Sequence, residues 1–462
     1  MDYDVIIMGG GIVGCAAAYE LCKYNLNVAV IEKNFDVAED VALLNSSLIS
    51  DGKDLDNEKI FKRTVESKNY LENLSSELEF FYEKVPSITV YENKKEAERI
   101  YTRAIKRKIE GLTLLEGNKA NKINHNINKD ECAILSENTA VISPYDYATS
   151  MAEIAYDNGV SFKLEEEVIE VKKQPRNGYY IVTDKSRYSS RVVIKTNYAL
   201  KSDLKTKSEL DMPSEEMLIE NMLIEKDFNK EIKHIIKKRR KNGEVILLLP
   251  NSTNKLLVYL KTNEFKEFSE MKKEVESVIG PFPAERIDTL NESIFWNKEI
   301  SINLVDNEPD YISINAKNYN SDTILPSLIK ETMDKVGDIL KLTVNKDFIN
   351  KKRKYYKFKE ITDEERNEII NIDPKYGNMI CLCSNVTEGE IVDSIRRPLG
   401  ARTIEGVRRR TGIINGRCQG SYCLTKITSI LARELHISPM DVINDKKDSE
   451  VIASRIKEFD SI

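Results

Sequence analysis

Residues 2–21 read DYDVIIMGGGIVGCAAAYEL, and this stretch decides the fold of the first part of the chain. The apolar run VIIM is typical of a strand that is buried on both faces. Gly9, Gly11 and Gly14 follow it with the spacing G-x-G-x-x-G. The first glycine permits a tight turn, the second lets the backbone approach a pyrophosphate, and the third lets the following helix pack closely on the strand. The pattern predicts a strand, a phosphate-binding turn and a helix.

A second apolar strand, NVAVIEK, ends at Glu32. A carboxylate at this place can accept hydrogen bonds from the ribose hydroxyls of an adenine dinucleotide. The complete order of strand, glycines, helix, strand and acidic residue predicts a Rossmann-like dinucleotide fold. FAD is favoured over NAD, because the motif opens the chain and its second strand ends in glutamate.

The composition excludes several classes of protein. The chain has 462 residues, 41% of them hydrophobic, so two or three domains with buried cores are expected. With 70 basic and 76 acidic residues the net charge is −6, which argues against a general nucleic-acid binder. No stretch approaches the ~20 apolar residues of a membrane span, and no signal peptide is evident. We therefore expect a cytoplasmic protein with reduced cysteines, and peripheral attachment to a membrane through a partner is compatible with the sequence.

The middle of the chain combines helical and strand patterns. A helix is expected to begin near Pro144 and to stop at Gly159, followed by strands at Val168–Val171, YYIVTD and VVIKTN. Residues 53–139 are charged and helical in pattern. The run EIKHIIKKRRK at 231–241 predicts a basic helix with a solvated face, and EVILLLP-NSTN-KLLVYLK predicts a hairpin.

Four cysteines near the end of the sequence form two close pairs, C-x-C at Cys381 and Cys383 and C-x4-C at Cys418 and Cys423. Four thiolates can hold either a tetrahedral zinc ion or a [2Fe–2S] cluster. Thr387 and Glu390 have capping-box spacing, which predicts a helix just after the first pair. Two more short helices are expected, RTIEGVRRR and YCLTKITSILAREL, and the second places Cys423 near a helix N-terminus, which favours a negatively charged centre.

Arginines are frequent in the sequence between and beside these two cysteine pairs. They can offset the negative charge of a cluster or dock an acidic protein. The run at Arg408–Arg410 in particular suggests a basic face for an acidic redox partner.

The segment ICLCSNVTEGEIVDSIRRPLGARTIEGVRRRTGIINGRCQGSYC resembles the bacterioferritin-associated-ferredoxin-type [2Fe–2S] domain. That domain is found at the C-terminus of anaerobic glycerol-3-phosphate dehydrogenase-like flavoproteins. The resemblance extends from about residue 350 to about 445. GGGIVG, Glu32 and the segment ISPYDYATSMAEIAYDNGV resemble the same family's FAD-binding domain, which belongs to the D-amino acid oxidase-like superfamily.

The resemblance implies an α/β architecture: a Rossmann-like FAD-binding domain, an inserted α+β substrate domain and a small helical C-terminal [2Fe–2S] domain. The expected boundaries are residues 1–80, 140–205 and 310–340 for FAD binding, 81–139 and 206–309 for the substrate domain, 341–378 for a linker, and 379–445 for the cluster domain. The implied cluster ligands are Cys381, Cys383, Cys418 and Cys423. The implied FAD contacts are Gly9, Gly11, Ile12, Val13, Gly14, Glu32, Lys33, Ser46 and Val168.

The implied function is an FAD- and [2Fe–2S]-dependent dehydrogenase. Electrons would pass from a substrate through flavin to the cluster and then to an acceptor, a redox partner protein or subunit. Glycerol 3-phosphate is the leading substrate and a 2-hydroxy acid or a secondary amine the nearest alternative. No catalytic residue is assigned.

Three stretches differ from the family pattern near the flavin ring: Asn45–Ser50, Lys195–Asn197 and Ala316–Thr323. The first has serine in place of histidine, and the last lacks the glycines that let backbone approach a cofactor. These differences motivate an alternative, an electron-transfer or scaffold subunit that keeps the cluster but has lost flavin chemistry. A zinc-bound interaction module is a third hypothesis.

Overall fold

The computed structural model describes residues 1–39, 47–175, 177–196, 216–225, 232–250, 255–262, 264–296, 301–305, 308–315, 321–414, 416 and 418–452. The helices in these ranges are α1 Ile12–Leu21, α2 Glu58–Leu78, α3 Lys94–Lys106, α4 Gly117–Ala120, α5 Pro144–Asp157, α6 Phe268–Ile279, α7 Ser321–Ile339, α8 Asp363–Ile372, α9 Glu388–Arg396, α10 Ile404–Thr411 and α11 Leu424–Leu435. Short 3-10 helices are at Ala284–Arg286, Pro374–Gly377 and Pro439–Asp441.

The strands are β1 Tyr3–Met8, β2 Val28–Ile31, β3 Ser47–Ile49, β4 Tyr82–Lys84, β5 Ser87–Tyr91, β6 Leu112–Glu116, β7 Cys132–Ser136, β8 Ala140–Ile142, β9 Ser161–Lys163, β10 Val168–Lys173, β11 Tyr179–Thr183, β12 Arg187–Lys195, β13 Glu216–Glu225, β14 Ile235–Arg239, β15 Val245–Pro250, β16 Lys255–Thr262, β17 Ile287–Trp296, β18 Ser301–Val305, β19 Glu308–Asn315, β20 Met379–Cys381 and β21 Val386–Thr387.

The first sheet has a parallel centre, in the order β19, β12, β1, β2, β9. At its N-terminal end β12 also pairs with β11, and β11 with β10, so that an antiparallel meander branches from the sheet. Alternate residues of the central strands enter two different cores: Val5 and Ile7 pack with the helices α1, α5 and α7, while Ile6 and Met8 pack with the meander. The predicted Rossmann-like strand, glycine turn, helix and second strand are confirmed.

The second sheet has the order β17, β13, β16, β15, β14, β5, β7, β6. One face packs against α6 through residues such as Val275. The other face packs against the small sheet β3-β8-β4, where Leu48 and Val141 contact Leu223 and Leu247. This packing places β3, which follows β1 and β2 in the chain, directly against the second sheet.

The predicted basic helix at 231–241 was wrong, because residues 235–239 form the central strand β14. The strand pairs with β15 on one side and with β5 on the other. Its cations are paired: Lys237 with Asp54 at 2.7 Å and Lys238 with Glu131 at 2.8 Å. Long-range strand pairing and neutralised charge override a local helical pattern here. The predicted solvated face was wrong too, since Lys238 is buried.

Other local predictions were confirmed. The hairpin is β15 and β16, α5 begins at Pro144, and Gly159 adopts φ 94° just beyond its end. Residues 53–139 contain the helices α2 and α3, but also the strands β4 to β7, which the helical pattern did not predict.

The C-terminal part, from β20 onward, is a small helical unit with its own core. Ile391, Val407, Ile427 and Leu431 from α9, α10 and α11 meet in this core. The capping box at Thr387 and Glu390 is present, and Cys423 is the N-cap of α11. The domain boundaries proposed from the sequence stay predictions.

Candidate functional site

The glycine turn after β1 is shaped by steric demands that only glycine meets. Gly9 adopts φ 107°, a conformation that L side chains rarely adopt. A Cβ atom on Gly14 would lie 1.9 Å from the Gly9 carbonyl oxygen, so α1 could not approach the turn with any other residue there. Gly11 is the N-cap of α1, and as a glycine it offers no side chain of its own to the free N–H groups of the first turn. The positive end of the helix dipole is thus directed at the turn, as anion binding requires.

Glu32 lies beside this turn. Its Oε2 accepts from the Gly10 backbone N–H at 2.6 Å, and its Oε1 accepts from the Asn34 N–H at 2.9 Å. A carboxylate oxygen has two lone pairs, so each oxygen keeps capacity for a ribose hydroxyl. The Glu166 N–H donates to the Glu32 carbonyl at 2.9 Å, which brings the segment before β10 to the same place.

The other predicted FAD contacts are distributed around this point. Ile12 is buried and Val13 half-buried in the first turn of α1, whereas Lys33 is exposed after Glu32. Val168 begins β10 and is partly buried against the meander core. Ser46, together with Asn45, lies outside the described residues.

All three stretches that differ from the family pattern are partly described. Thr196 follows β12, and its N–H and hydroxyl both bond to the Met8 carbonyl at 2.9 Å. The Thr323 hydroxyl donates to the Leu48 carbonyl at 3.0 Å and accepts from the Ser50 N–H at 3.4 Å. The stretches at 47–50 and 323 therefore adjoin, although Asn197 and 316–320 lie outside the described residues.

The four late cysteines come together in two pairs. The Sγ atoms of Cys383 and Cys418 are 3.6 Å apart, and the thiols of Cys381 and Cys423 are in hydrogen-bond contact. Cys381 and Cys423 are buried, Cys418 is half-buried and Cys383 is exposed. The centre therefore has a buried side and an open side.

The loops that carry these cysteines are built for close approach. A Cβ on Gly416 would lie 2.4 Å from the Cβ of Cys383, so glycine is needed for the two loops to meet. Gly420 adopts φ 87°. The Gly420 N–H and the Cys383 thiol bond to the Cys418 sulfur and lower its pKa, while burial raises the pKa of Cys423 to about 11.

These donor sets fit the groups that the sequence implies. The glycine turn, the glycine at the start of α1 and Glu32 suit the pyrophosphate and ribose of FAD. Among the described residues, no group of three or more His, Cys, Asp or Glu side chains is arranged to hold a single metal ion. The contacting thiols form two pairs, Cys383 with Cys418 and Cys381 with Cys423, and two thiolates for each iron is the ligand set of a [2Fe–2S] cluster.

The expectation of a basic face at Arg408–Arg410 for an acidic partner was wrong for two of these arginines. Arg410 bonds both carboxylate oxygens of Asp36, and Arg409 bonds Asp445 at 2.5 Å. Both side chains are at most 10% exposed, so neither can meet another protein. Sequence reasoning missed Asp36, because its partner lies 374 positions away and no local pattern links them.

The comparisons with known proteins identify the family. Residues 4–290 match the family DAO, FAD dependent oxidoreductase. The chain belongs to this family. Residues 379–433 of this oxidoreductase match the BFD-like [2Fe-2S] binding domain, and this range contains all four cysteines. Both parts of the predicted resemblance are confirmed.

Relatives of this FAD dependent oxidoreductase agree with this assignment. The chain is 28% identical to a glycerol 3-phosphate dehydrogenase of Caloramator mitchellensis over 98% of its own length and 99% of the relative's. It is 30% identical to a glycerol 3-phosphate oxidase of Mycoplasma pneumoniae over 39% of this chain and 49% of the relative. The solved L-alpha-glycerophosphate oxidase of Mycoplasma pneumoniae with FAD bound superposes with a TM-score of 0.67 at 20% identity, covering 77% of this chain and 99% of that one.

The chain is therefore an FAD-dependent oxidoreductase with a [2Fe–2S] domain, and its cofactors are FAD and a [2Fe–2S] cluster. The alternative of a subunit without flavin chemistry is not favoured, because the relatives are dehydrogenases and oxidases. Within the described ranges, none of the helices has the length and hydropathy of a membrane span.

Proposed function

We propose that this oxidoreductase oxidises glycerol 3-phosphate. The observation that carries the proposal is the match to the glycerol 3-phosphate dehydrogenase of Caloramator mitchellensis, which includes both cofactor regions and nearly the whole of both chains. Oxidation of the secondary alcohol to a ketone releases two electrons and two protons. When bound, FAD accepts a hydride from carbon and the cluster accepts single electrons, which together allow a two-electron donor to serve a one-electron acceptor.

The chain's own residues have two tasks toward FAD in this proposal. The turn at Gly9, Gly11 and Gly14, with Ile12 and Val13, holds the pyrophosphate against the start of α1. Glu32 holds the ribose, and Lys33 and Val168 complete the nucleotide end of the site. Ser46, in the stretch expected near the flavin ring, is a further proposed FAD contact. The short bonds from Gly10 and Asn34 support this arrangement, because they fix the Glu32 carboxylate before any ligand arrives.

Cys381, Cys383, Cys418 and Cys423 are the proposed ligands of the cluster. The contact between the paired sulfurs supports this role, as does the Gly420 N–H at the Cys418 sulfur, because a ligand sulfur must be a thiolate. The buried pair would face the protein and the open pair the solvent.

The proposed acceptor is a redox protein or subunit that approaches this open side. Leu382 and Tyr422, which flank the cysteines, are 80% and 81% exposed. An apolar rim around a solvent-facing centre suits brief contact with a protein partner. The test is the variant Leu382→Asp, assayed once with a protein acceptor and once with a small redox dye. Slower electron transfer to the protein with unchanged reduction of the dye would support this docking side. Unchanged transfer to the protein would contradict it.

The test begins with anaerobically purified protein, in which released flavin, iron and acid-labile sulfide are assayed. Glycerol 3-phosphate, glycerol and 2-hydroxyglutarate are then added separately, and the visible spectrum is followed. We expect flavin bleaching with glycerol 3-phosphate alone. If 2-hydroxyglutarate alone bleaches the flavin, the substrate is a 2-hydroxy acid and not glycerol 3-phosphate. If none of the three compounds bleaches the flavin, the proposed activity is refuted. Bound zinc with no acid-labile sulfide in the purified protein would refute the presence of a [2Fe–2S] cluster.

Two cysteine variants separate the roles of the cofactors. Cys383→Ser is expected to lose the cluster spectrum while glycerol 3-phosphate still bleaches the flavin. Cys132→Ser is the matched control, since Cys132 is buried in β7 of the second sheet, and it should keep both signals. Loss of the cluster in both variants would argue against specific ligation.

A further inference from the structure

The loop between Glu32 and Glu39 is held from two sides, and one of them is the C-terminal unit. Arg410, in the last turn of α10, places its Nη1 2.5 Å from Oδ2 of Asp36 and its Nη2 2.7 Å from Oδ1. The Asp36 side chain is 2% exposed and that of Arg410 is 10% exposed. A paired guanidinium and carboxylate with so little solvent is a strong, directional contact.

The same loop contacts the glycine turn on its other side. The Ala38 N–H donates to the Gly10 carbonyl at 2.8 Å, and the Val37 N–H donates to Oδ1 of Asp36 at 2.8 Å. Gly10 in turn donates to Glu32. Ala38, two residues after Asp36, is thus bonded directly to the predicted pyrophosphate turn.

A third element closes the arrangement around Asp36. Tyr145, at the start of α5, donates its hydroxyl to Oδ2 of Asp36 at 3.3 Å. The Arg410 guanidinium lies 5.9 Å from the centre of the Tyr145 ring and also donates to the Leu399 carbonyl. Asp36 has its charge fully matched as long as Arg410 is in place.

The other end of α10 leads to the cysteines. The helix ends at Gly412, which adopts φ 73°, and the backbone N–H of Ile414 bonds to the Cys423 sulfur. A short run of chain therefore connects the Arg410 contact with a predicted cluster ligand.

We infer that Arg410 is a positioning residue that couples FAD binding to the cluster-bearing unit. It holds the Asp36 loop so that Gly10 and Glu32 keep their places in the nucleotide site. Without the guanidinium, the buried Asp36 carboxylate would lose both bonds to Arg410 and keep neutral donors such as the Val37 N–H and the Tyr145 hydroxyl, and the loop would move to hydrate its charge. Because coupling between two sites is reciprocal, bound FAD should also slow the loss of the cluster. The inference rests on the proposed FAD site and assigns a new residue to it.

The test compares Arg410→Met with Arg408→Met. Arg408 is on the same helix, and its ion pair within the described part of the chain is local, with Glu405 at 3.3 Å in the i,i+3 position. Flavin is removed from each protein, and the dissociation constant of FAD is measured by fluorescence quenching. We expect Arg410→Met to bind FAD about tenfold or more weakly, and Arg408→Met to bind within about twofold of the parent.

A second readout separates coupling from simple instability. The cluster absorbance is followed after addition of an iron chelator, with and without FAD. In the parent and in Arg408→Met, FAD should slow the loss of absorbance; in Arg410→Met it should have no effect. Equal protection by FAD in all three proteins would overturn the inference.

Asp36→Asn covers the case in which Arg410→Met does not fold. This substitution keeps the shape of the Asp36 side chain, removes its charge and leaves Arg410 in place. Weaker FAD binding, together with loss of the protection that FAD gives the cluster against the chelator, supports the inference. Unchanged FAD affinity in that variant overturns it. Failure of the parent itself to bind FAD is a different result, because it removes the proposed function and not this coupling alone.

Discussion

At the scale of single residues, two features matter most: glycines that leave room for close backbone contacts, and ionisable side chains that are buried away from water. Gly14 is required because any side chain would collide with the backbone of the turn that it faces. Glu39 is the opposite case, an ionisable group that is held where its charge is poorly solvated. Its carboxylate is 3.7 Å from Arg409, which also pairs with Asp445 at 2.5 Å. Burial therefore outweighs the guanidinium and raises the pKa of Glu39 to about 7.

Gly14→Ala is expected to destabilise the protein and to remove FAD. The added Cβ would lie 1.9 Å from the Gly9 carbonyl oxygen, so α1 must move away from the turn. The cost should be about 3 kcal/mol or more in the free energy of unfolding. Denaturant unfolding and the content of bound FAD measure the two effects.

Gly337→Ala is the matched control for this substitution. Gly337 is also within a helix, but its added Cβ would meet nothing nearer than a Leu342 side-chain carbon at 3.4 Å. This variant should be neutral or more stable by up to about 1 kcal/mol, because alanine favours helix. Similar behaviour of both variants would contradict the steric explanation.

Glu39→Gln should change how stability depends on pH. The folded state raises the pKa of this carboxyl from 4.5 to about 7, so between these values the native protein holds a proton that the unfolded chain has released. Folding stability from this group is present at low pH and falls as pH rises through about 7. Glutamine has no such titration. The melting temperature of the variant minus that of the parent should therefore increase between pH ~4.5 and pH ~8; a constant difference would refute the raised pKa.

At the scale of elements, two helices near the C-terminus begin with the same device in different surroundings. The capping box of α9 uses Thr387 and Glu390, which are both buried, and that of α8 uses Thr362 and Glu365. Glu390 also accepts from the Phe358 N–H at 3.1 Å, so this box ties the preceding segment to α9. The Thr362 box makes the same bonds at the exposed surface.

Thr387→Ala should cost about 2 kcal/mol of stability, whereas Thr362→Ala should cost about 0.5–1 kcal/mol. The difference arises because loss of the Thr387 hydroxyl leaves the buried Glu390 carboxylate without one of its donors, and water cannot replace it. The thermal loss of cluster absorbance and amide hydrogen exchange in α9 measure the effect. Equal costs in the two variants would show that burial of the box is unimportant.

At the scale of the whole molecule, a second buried ion pair fastens the C-terminal unit to the Rossmann-like part. Arg397, just after α9, places Nε 3.0 Å and Nη2 2.9 Å from the two carboxylate oxygens of Glu153 in α5. It also donates to the carbonyls of Arg353 and Lys354, which lie in the predicted linker. The α5 helix packs against α1, so the contact reaches the helix that begins at the glycine turn.

Arg397→Met should loosen this attachment, because it leaves Glu153 buried and unpaired at a cost of about 3–5 kcal/mol. We expect faster limited proteolysis within residues 341–378, detected by mass spectrometry of the fragments. Arg396→Met is the control: Arg396 is 63% exposed and pairs with Glu434 inside the same unit, so its loss should cost less than about 1 kcal/mol. Equal proteolysis of the two variants would contradict the attachment.

Local steric and chemical demands made several parts of this protein predictable from its amino-acid sequence. The glycine turn, the acidic residue after β2 and the capping box at Thr387 are such parts, because each requires particular residue types at short, fixed spacing. The two close cysteine pairs likewise indicated a metal centre, since thiols so spaced are rarely only core residues. The glycine turn and the acidic residue favoured FAD, whereas the choice of a [2Fe–2S] cluster over zinc came from the resemblance of the whole C-terminal segment to a known domain.

Features that depend on partners distant in the chain became visible only in the folded protein. The run at 231–241 is charged and helical in pattern, yet β14 becomes a central strand because β5 and β15 pair with it and Glu131 neutralises Lys238. Arg410 could as well have faced another protein. It meets Asp36, since burying an ion pair requires both charges to converge in space, and spacing along the chain carries no record of that convergence.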